Sequence, residues 1–285
     1  MSDPLASVPG SVVSLWRYPV KSMMGEELNA SDVAERGLAG DRAYALIDKD
    51  DGKVVSAKQP RKWPRLFDFR ASFVEPPQIG KQMPPVWVTL PNGDRVSSDR
   101  PDIDQILSGA LDRAVTFEAI APAKPMVEYL EDPLAPSEVI TDFPAALGSP
   151  SGTFFDYAAL HLLTTATIDR LREIYPQGRF EVRRFRPNIV IDPGGAKGFV
   201  ENAWVGRTLT IGNALRLRIT DPCPRCVMTT LPQGDLPRDL GILRAAAENR
   251  VRVPFANQDM PSVGVYATVL RAGTIRRGDA ITLDD

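Results

Sequence analysis

Apolar and polar positions alternate over short stretches along most of this chain, which predicts many brief strands and few helices. Ser11 to Tyr18 alternates in this way and stops at Pro19, so Val20, Lys21 and Ser22 fall on a turn at the strand's exit. Gly40 to Ile47 predicts a second strand, with Asp48 to Gly52 as a hairpin loop into Val54 to Ala57. Leu66 to Phe73, Val86 to Leu90 and Val115 to Ile120 continue the pattern, and Pro91-Asn92-Gly93-Asp94 is a hairpin signal.

The period changes in three places. Ile103, Ile106, Leu107, Ala110 and Leu111 lie on one face of a helix between Pro101 and Arg113, capped near Asp99. Ile168, Leu171 and Ile174 define another, with Thr164 or Thr165 as its cap and Pro176-Gln177-Gly178 as its stop. A third is expected over Asp239 to Asn249. Ile189 to Ile191, Thr208 to Ile211, Leu215 to Ile219, Val263 to Leu270 and Thr274 to Leu283 return to strand character. Residues 121–150 carry repeated prolines and no sustained period, so they are expected as a linker or a long functional loop. The division expected is therefore 1–120, the 121–150 connection and 151–285. Twenty-six prolines and 21 glycines in 285 residues fit this turn-rich reading.

Composition adds limits. At 43% hydrophobic and 25% charged residues with a net charge of −2, the chain is an ordinary globular protein with no bulk attraction to nucleic acid. The start lacks a basic and apolar leader, and no apolar run approaches the length that spans a bilayer, so no membrane association and a cytoplasmic location are expected. Gly194-Gly195-Ala196-Lys197-Gly198 lacks the spacing of a phosphate-binding P-loop.

Candidate chemistry concentrates at Asp221-Pro222-Cys223-Pro224-Arg225-Cys226-Val227-Met228-Thr229-Thr230, which holds both cysteines. The pair can be a redox dithiol, half of a zinc site, one metal ligand beside a bystander, or two small core residues. Two cysteines and the single histidine, His161, cannot close a four-ligand zinc site without a carboxylate, and prolines around Cys223 do not resemble the helix start of a dithiol enzyme. His161 lies in an apolar stretch and is expected to be structural. Two basic runs stand out. Lys58, Arg61, Lys62 and Arg65 read as a solvated face, with an anion-facing rim as the alternative, whereas Arg179, Arg183, Arg184 and Arg186 adjoin a buried strand and are stronger candidates for anion binding.

The segments Tyr18-Pro19-Val20-Lys21-Ser22, Gly40-Asp41-Arg42, Phe185-Arg186-Pro187-Asn188 and Cys223-Pro224-Arg225-Cys226 with Thr229-Thr230 occur in this order. In that order the chain resembles MOSC-domain proteins with an N-terminal β-barrel domain, the mitochondrial amidoxime-reducing component and its bacterial relatives among them. The resemblance implies a β-rich α+β fold with two barrel-like domains that binds molybdenum cofactor, Mo-molybdopterin, whose pterin dithiolene ends in a phosphate. Position by position, it implies Cys226 as the thiolate on molybdenum and Arg225 beside the metal. Lys21, Ser22 and Arg42 are implied as cofactor contacts from the first domain, and Arg186 and Asn188 from the second. Thr164 and Thr165 are implied as small hydroxyl contacts. Cys223 has no ligand role in the comparison, and pyridoxal phosphate binding attaches to the family only as a general attribute.

The activity implied is reduction of N-hydroxylated small molecules, amidoximes and hydroxylamines, by oxygen-atom transfer to molybdenum. No cysteine-rich ferredoxin domain follows, so electrons are expected from a separate donor protein carrying flavin, haem or an iron–sulfur centre. Two alternatives stand beside it: a non-catalytic carrier of the cofactor or its sulfur, and a metal-free dithiol oxidoreductase.

Overall fold

The computed structural model describes residues 10–131, 133–135, 139–145 and 152–284. Strands dominate, as the alternation predicts, and seven of them close into a barrel. These are β1 (Gly10–Arg17), β2 (Leu160–Thr164), β3 (Ile189–Asp192), β4 (Thr208–Ile211), β5 (Leu215–Pro224), β6 (Gln258–Arg271) and β7 (Ala280–Asp284). Around the barrel the order is β2-β3-β1-β7-β4-β5-β6, and β6 returns to pair with β2. The β2 and β3 pair is parallel; the other neighbours run antiparallel.

The sequence pattern explains why these strands close. Along β5, Leu215, Leu217 and Ile219 are buried while Arg216 and Arg218 are exposed, the two-residue period of a strand with one wet face. β2 is buried at every position because a helix covers its outer side, so it lacks the alternation of β5. Val12, Leu15, Leu160, Leu162, Ile189, Ile191, Leu209, Leu217, Ile219 and Val265 fill the barrel interior. Each such side chain contributes about 1.5–3 kcal/mol on leaving water.

β1 lies in the same barrel as the C-terminal strands, and Ala30–Ala34 pairs with Gly273–Arg276. Val33 and Leu38 also enter that core, so packing does not divide the chain at residue 120. A second core, beneath residues 20–130, gathers Met23, Trp63, Phe67, Phe69, Val86, Val88 and Leu107. It also takes Val227 and Leu231 from the C-terminal half. These two lie just past Cys226, so the cysteine segment is anchored at the seam between the cores.

Several elements differ from expectation for local reasons. The strand expected from Gly40 begins at Ala45, because Gly40 and Arg42 take left-handed φ of 78° and 47° in a tight turn. Leu66–Asp68 forms a 3-10 turn before the strand Arg70–Phe73. The helix α1 (Ile103–Leu111) is capped by backbone at Asp102 with no side-chain cap, and the helix expected over 239–249 is confined to Gly241–Ala246. The last expected strand divides at the Arg277–Asp279 turn, where Gly278 has φ 87°. Within 121–150, Met126–Leu130 and Ile140–Pro144 pair as an antiparallel hairpin.

Candidate functional site

Three chain reversals at the seam deliver the expected side chains. Pro19 stops β1's continuation, and Lys21 N donates to Tyr44 O at 2.9 Å, holding the turn that projects Lys21 and Ser22. Asp41 stands behind the next turn: its Oδ1 accepts from Tyr18 N at 2.8 Å and its Oδ2 from Asn188 Nδ2 at 2.9 Å, and it pairs with Arg42. Arg186 caps the short helix Val182–Phe185, and Asn188 then enters β3. Ser22, Arg42 and Arg186 have φ of 62°, 47° and 54°, and they make up three of the five non-glycine residues with positive φ among those described. Such backbone costs roughly 1–3 kcal/mol each and is retained where surrounding contacts demand it.

Cys226 precedes a 3-10 turn, Val227–Thr230, stiffened by its own threonines. Thr229 Oγ1 donates to Cys226 O at 3.1 Å and Thr230 Oγ1 to Val227 O at 2.8 Å. The two hydroxyls that follow the cysteine motif therefore hold its backbone.

Together these elements enclose a cavity of about 310 Å³. Lys21, Ser22, Arg42, Arg186, Asn188, Arg225 and Cys226 all line it, although they are separated by up to about two hundred residues of sequence. A broader depression of about 610 Å³ at Tyr175, Arg238 and Arg244 contains none of them.

Cations outnumber carboxylates at the cavity wall. Lys21, Arg42, Lys58, Arg186 and Arg225 face Asp156, the one lining carboxylate among the described residues. Asp156 Oδ1 accepts from Lys21 Nζ at 2.6 Å and its Oδ2 lies 3.1 Å from Lys58 Nζ. Burial would raise its pKa, but Lys21 and Lys58 together hold it well below the usual carboxylate range. Burial lowers the Lys21 pKa more than Asp156 restores it, while for Lys58 the attraction of Asp156 and Cys226 prevails over burial and the shift is upward.

No described carboxylate pairs with Arg186 or Arg225. Arg186 Nη1 donates to Met23 O at 2.7 Å, and its guanidinium sits 4.1 Å from the centre of the Tyr18 ring, which Arg42 approaches at 4.5 Å. Burial and the nearby Arg42 push Arg186 down to about 10. The Tyr18 hydroxyl is buried without a partner, and burial pushes it up to about 12.

The two sulfurs are placed differently. Both line the cavity, but Cys226 is partly exposed and Cys223 is buried. Arg225 links them to the wall: Nη1 donates to Cys223 Sγ at 2.9 Å, Nη2 to Phe185 O at 2.8 Å, and buried Nε has no partner. His161 is buried, with Nε2 at 3.1 Å from Val263 O. Burial, with Arg225 adding to it, depresses His161 to about 3, so it is neutral at physiological pH, and it too lines the cavity. Its ring packs over Gly264, where a Cβ would approach Nε2 to 2.3 Å. Among the described residues no three His, Cys, Asp or Glu side chains converge on a metal position. A metal here would have to arrive with most of its own ligands.

Thr164 and Thr165 stand outside the lining. Thr164 caps α2 (Thr165–Ile174): its Oγ1 accepts from Thr167 N at 3.2 Å and donates to Glu201 Oε2 at 2.7 Å, so its hydroxyl is consumed within the fold. Lys58, Asp156, Tyr18, Phe154 and Phe155 were not singled out as site residues by sequence reasoning. Lys58 was visible only as one member of a basic run, and Asp156 only as a carboxylate in a mixed stretch.

The fold and cavity define a β-barrel protein with a cation-lined cavity that includes a partly exposed cysteine. Residues 9–104 match the MOSC N-terminal beta barrel domain and residues 150–282 match the MOSC domain. The chain belongs to the MOSC-domain family, with the N-terminal barrel domain included. It is similar to mitochondrial amidoxime reducing component 2 of Rattus norvegicus, at 26% identity over 95% of this chain and 82% of the relative. The Homo sapiens protein of the same name is 24% identical over 95% of this chain and 83% of its own. Molybdenum cofactor sulfurase of Homo sapiens is 25% identical over 85% of this chain, which corresponds to 29% of that protein. No described helix is long and apolar enough to cross a membrane.

Proposed function

We propose that this protein binds molybdenum cofactor and uses it to reduce N-hydroxylated compounds, amidoximes and hydroxylamines among them, with electrons from a separate donor protein. One observation carries the reading: five cations, two of them arginines without a described carboxylate, share a cavity with the partly exposed sulfur of Cys226. Buried charge without a counter-charge is costly, so such a wall calls for a polyanionic ligand. The unpartnered Arg225 Nε and Tyr18 hydroxyl likewise leave hydrogen-bonding capacity unused by the protein. The names of the relatives supply the cofactor and the substrate class.

When bound, the cofactor supplies two-electron oxygen-atom transfer at a metal held by sulfur. Cys226 supplies the protein sulfur. Lys21, Arg42 and Arg186 come from turns on both sides of the seam and hold the phosphate, with the Ser22 hydroxyl beside them. Asn188 acts through its neighbours, since its amide already engages Trp16 O, Asp41 and His161 N. Arg225, fixed by Cys223 and Phe185, keeps a positive charge beside the reacting end and orients the substrate's oxygen. Asp156 and the two lysines form an ion-paired group on the same wall. Pyridoxal phosphate has no part in this reading.

The test is elemental analysis of wild type and Cys226→Ser, both from a molybdenum-replete host and checked for folding by circular dichroism, with benzamidoxime reduction driven by an artificial electron donor. Wild type is expected to contain molybdenum and reduce the substrate; the folded variant loses molybdenum-dependent activity. Wild type that contains the cofactor yet reduces no N-hydroxylated compound overturns the reading. Ready transfer of its cofactor to an apo-molybdoenzyme would then favour a carrier.

A further inference from the structure

The cavity wall is graded from inside to outside. Lys21, Ser22, Arg186 and Asn188 on the floor are between 1% and 7% exposed. Arg225, Cys226 and Met228 lie at intermediate depth. Tyr129, Phe143, Tyr157 and Met260 are likewise partly exposed, and Phe255 is 37% exposed. Of these lining residues the most buried are polar or charged and the most exposed, Phe255, is aromatic.

Two hairpins carry aromatic residues of this wall. Tyr129 and Phe143 come from the paired segments Met126–Leu130 and Ile140–Pro144, with ring centroids 5.9 Å apart in an edge-to-face arrangement. Phe255 sits on the 3-10 turn Pro254–Ala256, at the tip of the hairpin that pairs Arg250–Val253 with β6. Its ring stacks on Tyr157 at a centroid distance of 3.9 Å and an interplanar angle of 24°. Tyr157 is itself anchored, its hydroxyl donating to Asp221 Oδ2 at 3.1 Å, and its ring lies 5.3 Å from that of Tyr266. Tyr157 is thus a fixed plate and Phe255 a partly exposed one laid against it. An exposed phenylalanine at a cavity mouth forgoes burial that a flat apolar ligand would supply.

We propose, building on the function proposed above, that Phe255, backed by Tyr157, is a specificity-determining residue that selects substrates with a flat, unsaturated body attached to the N-hydroxy group. The anion is held on the floor and the N–O group is presented near Cys226, so the remainder of the substrate extends outward along the rim. A planar body there covers the apolar surface of Phe255 and can reach Tyr129 and Phe143, which line the same cavity. A methyl group in its place covers little of either.

Benzamidoxime and acetamidoxime test this, since they share one head group and differ in a ring against a methyl. Their equilibrium binding to the cofactor-loaded protein is measured by calorimetry for wild type, Phe255→Ala, Phe255→Tyr and Tyr157→Phe, and their reduction is measured separately. Wild type should prefer benzamidoxime, and Phe255→Ala should cut that preference about three- to tenfold by weakening benzamidoxime alone, the scale of one aromatic contact. Phe255→Tyr should restore it. Tyr157→Phe keeps the stacked face and should keep most of the preference. Molybdenum content should be equal throughout, which separates a substrate contact from a cofactor contact. No preference in wild type, or an undiminished preference in Phe255→Ala, overturns the proposal. Because binding is read apart from turnover, loss of reduction with an intact binding preference would defeat the proposed activity and leave this assignment standing.

Discussion

The two basic runs, 58–65 and 179–186, contain four cations each, yet the fold uses their members for opposite purposes. In the first, Lys62 meets Asp48, Asp51 and Glu128, and Arg65 meets Asp68 at the surface. In the second, Arg179 and Arg183 share Asp235 and Glu181, while buried Arg184 donates to the carbonyls of Arg179, Thr229, Leu231 and Pro237. Each run sends one member to the cavity, Lys58 and Arg186. Lys58 keeps a carboxylate there and Arg186 has none. A cation's function is thus decided by whether the fold supplies its counter-charge, and density along the sequence says little about that.

Breaking the contrast at Arg184 should have the largest effect. Arg184→Ala strands buried carbonyls and removes a fully buried side chain, so chemical denaturation should show a loss on the order of 3 kcal/mol or more. Its phosphate affinity, where the protein still folds, should be unchanged. Arg186→Met, in contrast, should leave a folded protein whose affinity for inorganic phosphate, measured by calorimetry without cofactor, falls at least about tenfold. Equal phosphate binding by both variants would remove the distinction drawn here.

Asp156 sharpens the comparison through pH. Its carboxyl is held below its ordinary range in the folded state, so it stabilises the protein at neutral pH. That contribution starts to fade as pH drops below about 4, the unfolded value, and is lost through the depressed folded value. Asp156→Asn should therefore flatten the acid limb of a stability-against-pH curve while tightening phosphate binding, because the site's resident negative charge is gone. The smallest effect belongs to Arg65→Ala: its pair with Asp68 is 3.3 Å long and both partners are about half exposed, so thermal unfolding should change by no more than about 0.5 kcal/mol.

Much of the architecture was legible from alternation alone. β1, β4 and β5 lie where Ser11–Tyr18, Thr208–Ile211 and Leu215–Ile219 predict them, and Thr164 caps α2. The hairpin of 126–144 was hidden because prolines at 122, 125, 133, 136 and 144 interrupt a pattern that Val127, Tyr129 and Phe143 otherwise follow. Motif order collected seven of the nine expected site residues that the cavity brings together. It missed Lys58 and Asp156, which have no local signature and pair only once the fold brings them together. It included Thr164, which the fold spends on a helix cap, and Thr165, the first residue of that helix, and neither lines the cavity.

By itself, the sequence determined a strand-rich chain, the turn that carries Lys21 and Ser22, and the neighbourhood of Cys226 with Arg225, because propensity, proline and glycine act over a few residues. Only the tertiary structure decided which cations lack partners, which of two nearby sulfurs is the more exposed, and which aromatic rings line the cavity. Those outcomes depend on contacts between segments more than a hundred residues apart, as when Lys21 meets Asp156 or Arg186 reaches Met23 O. Pairing and burial at such distances are properties of the closed barrel and its seam, which no short stretch encodes.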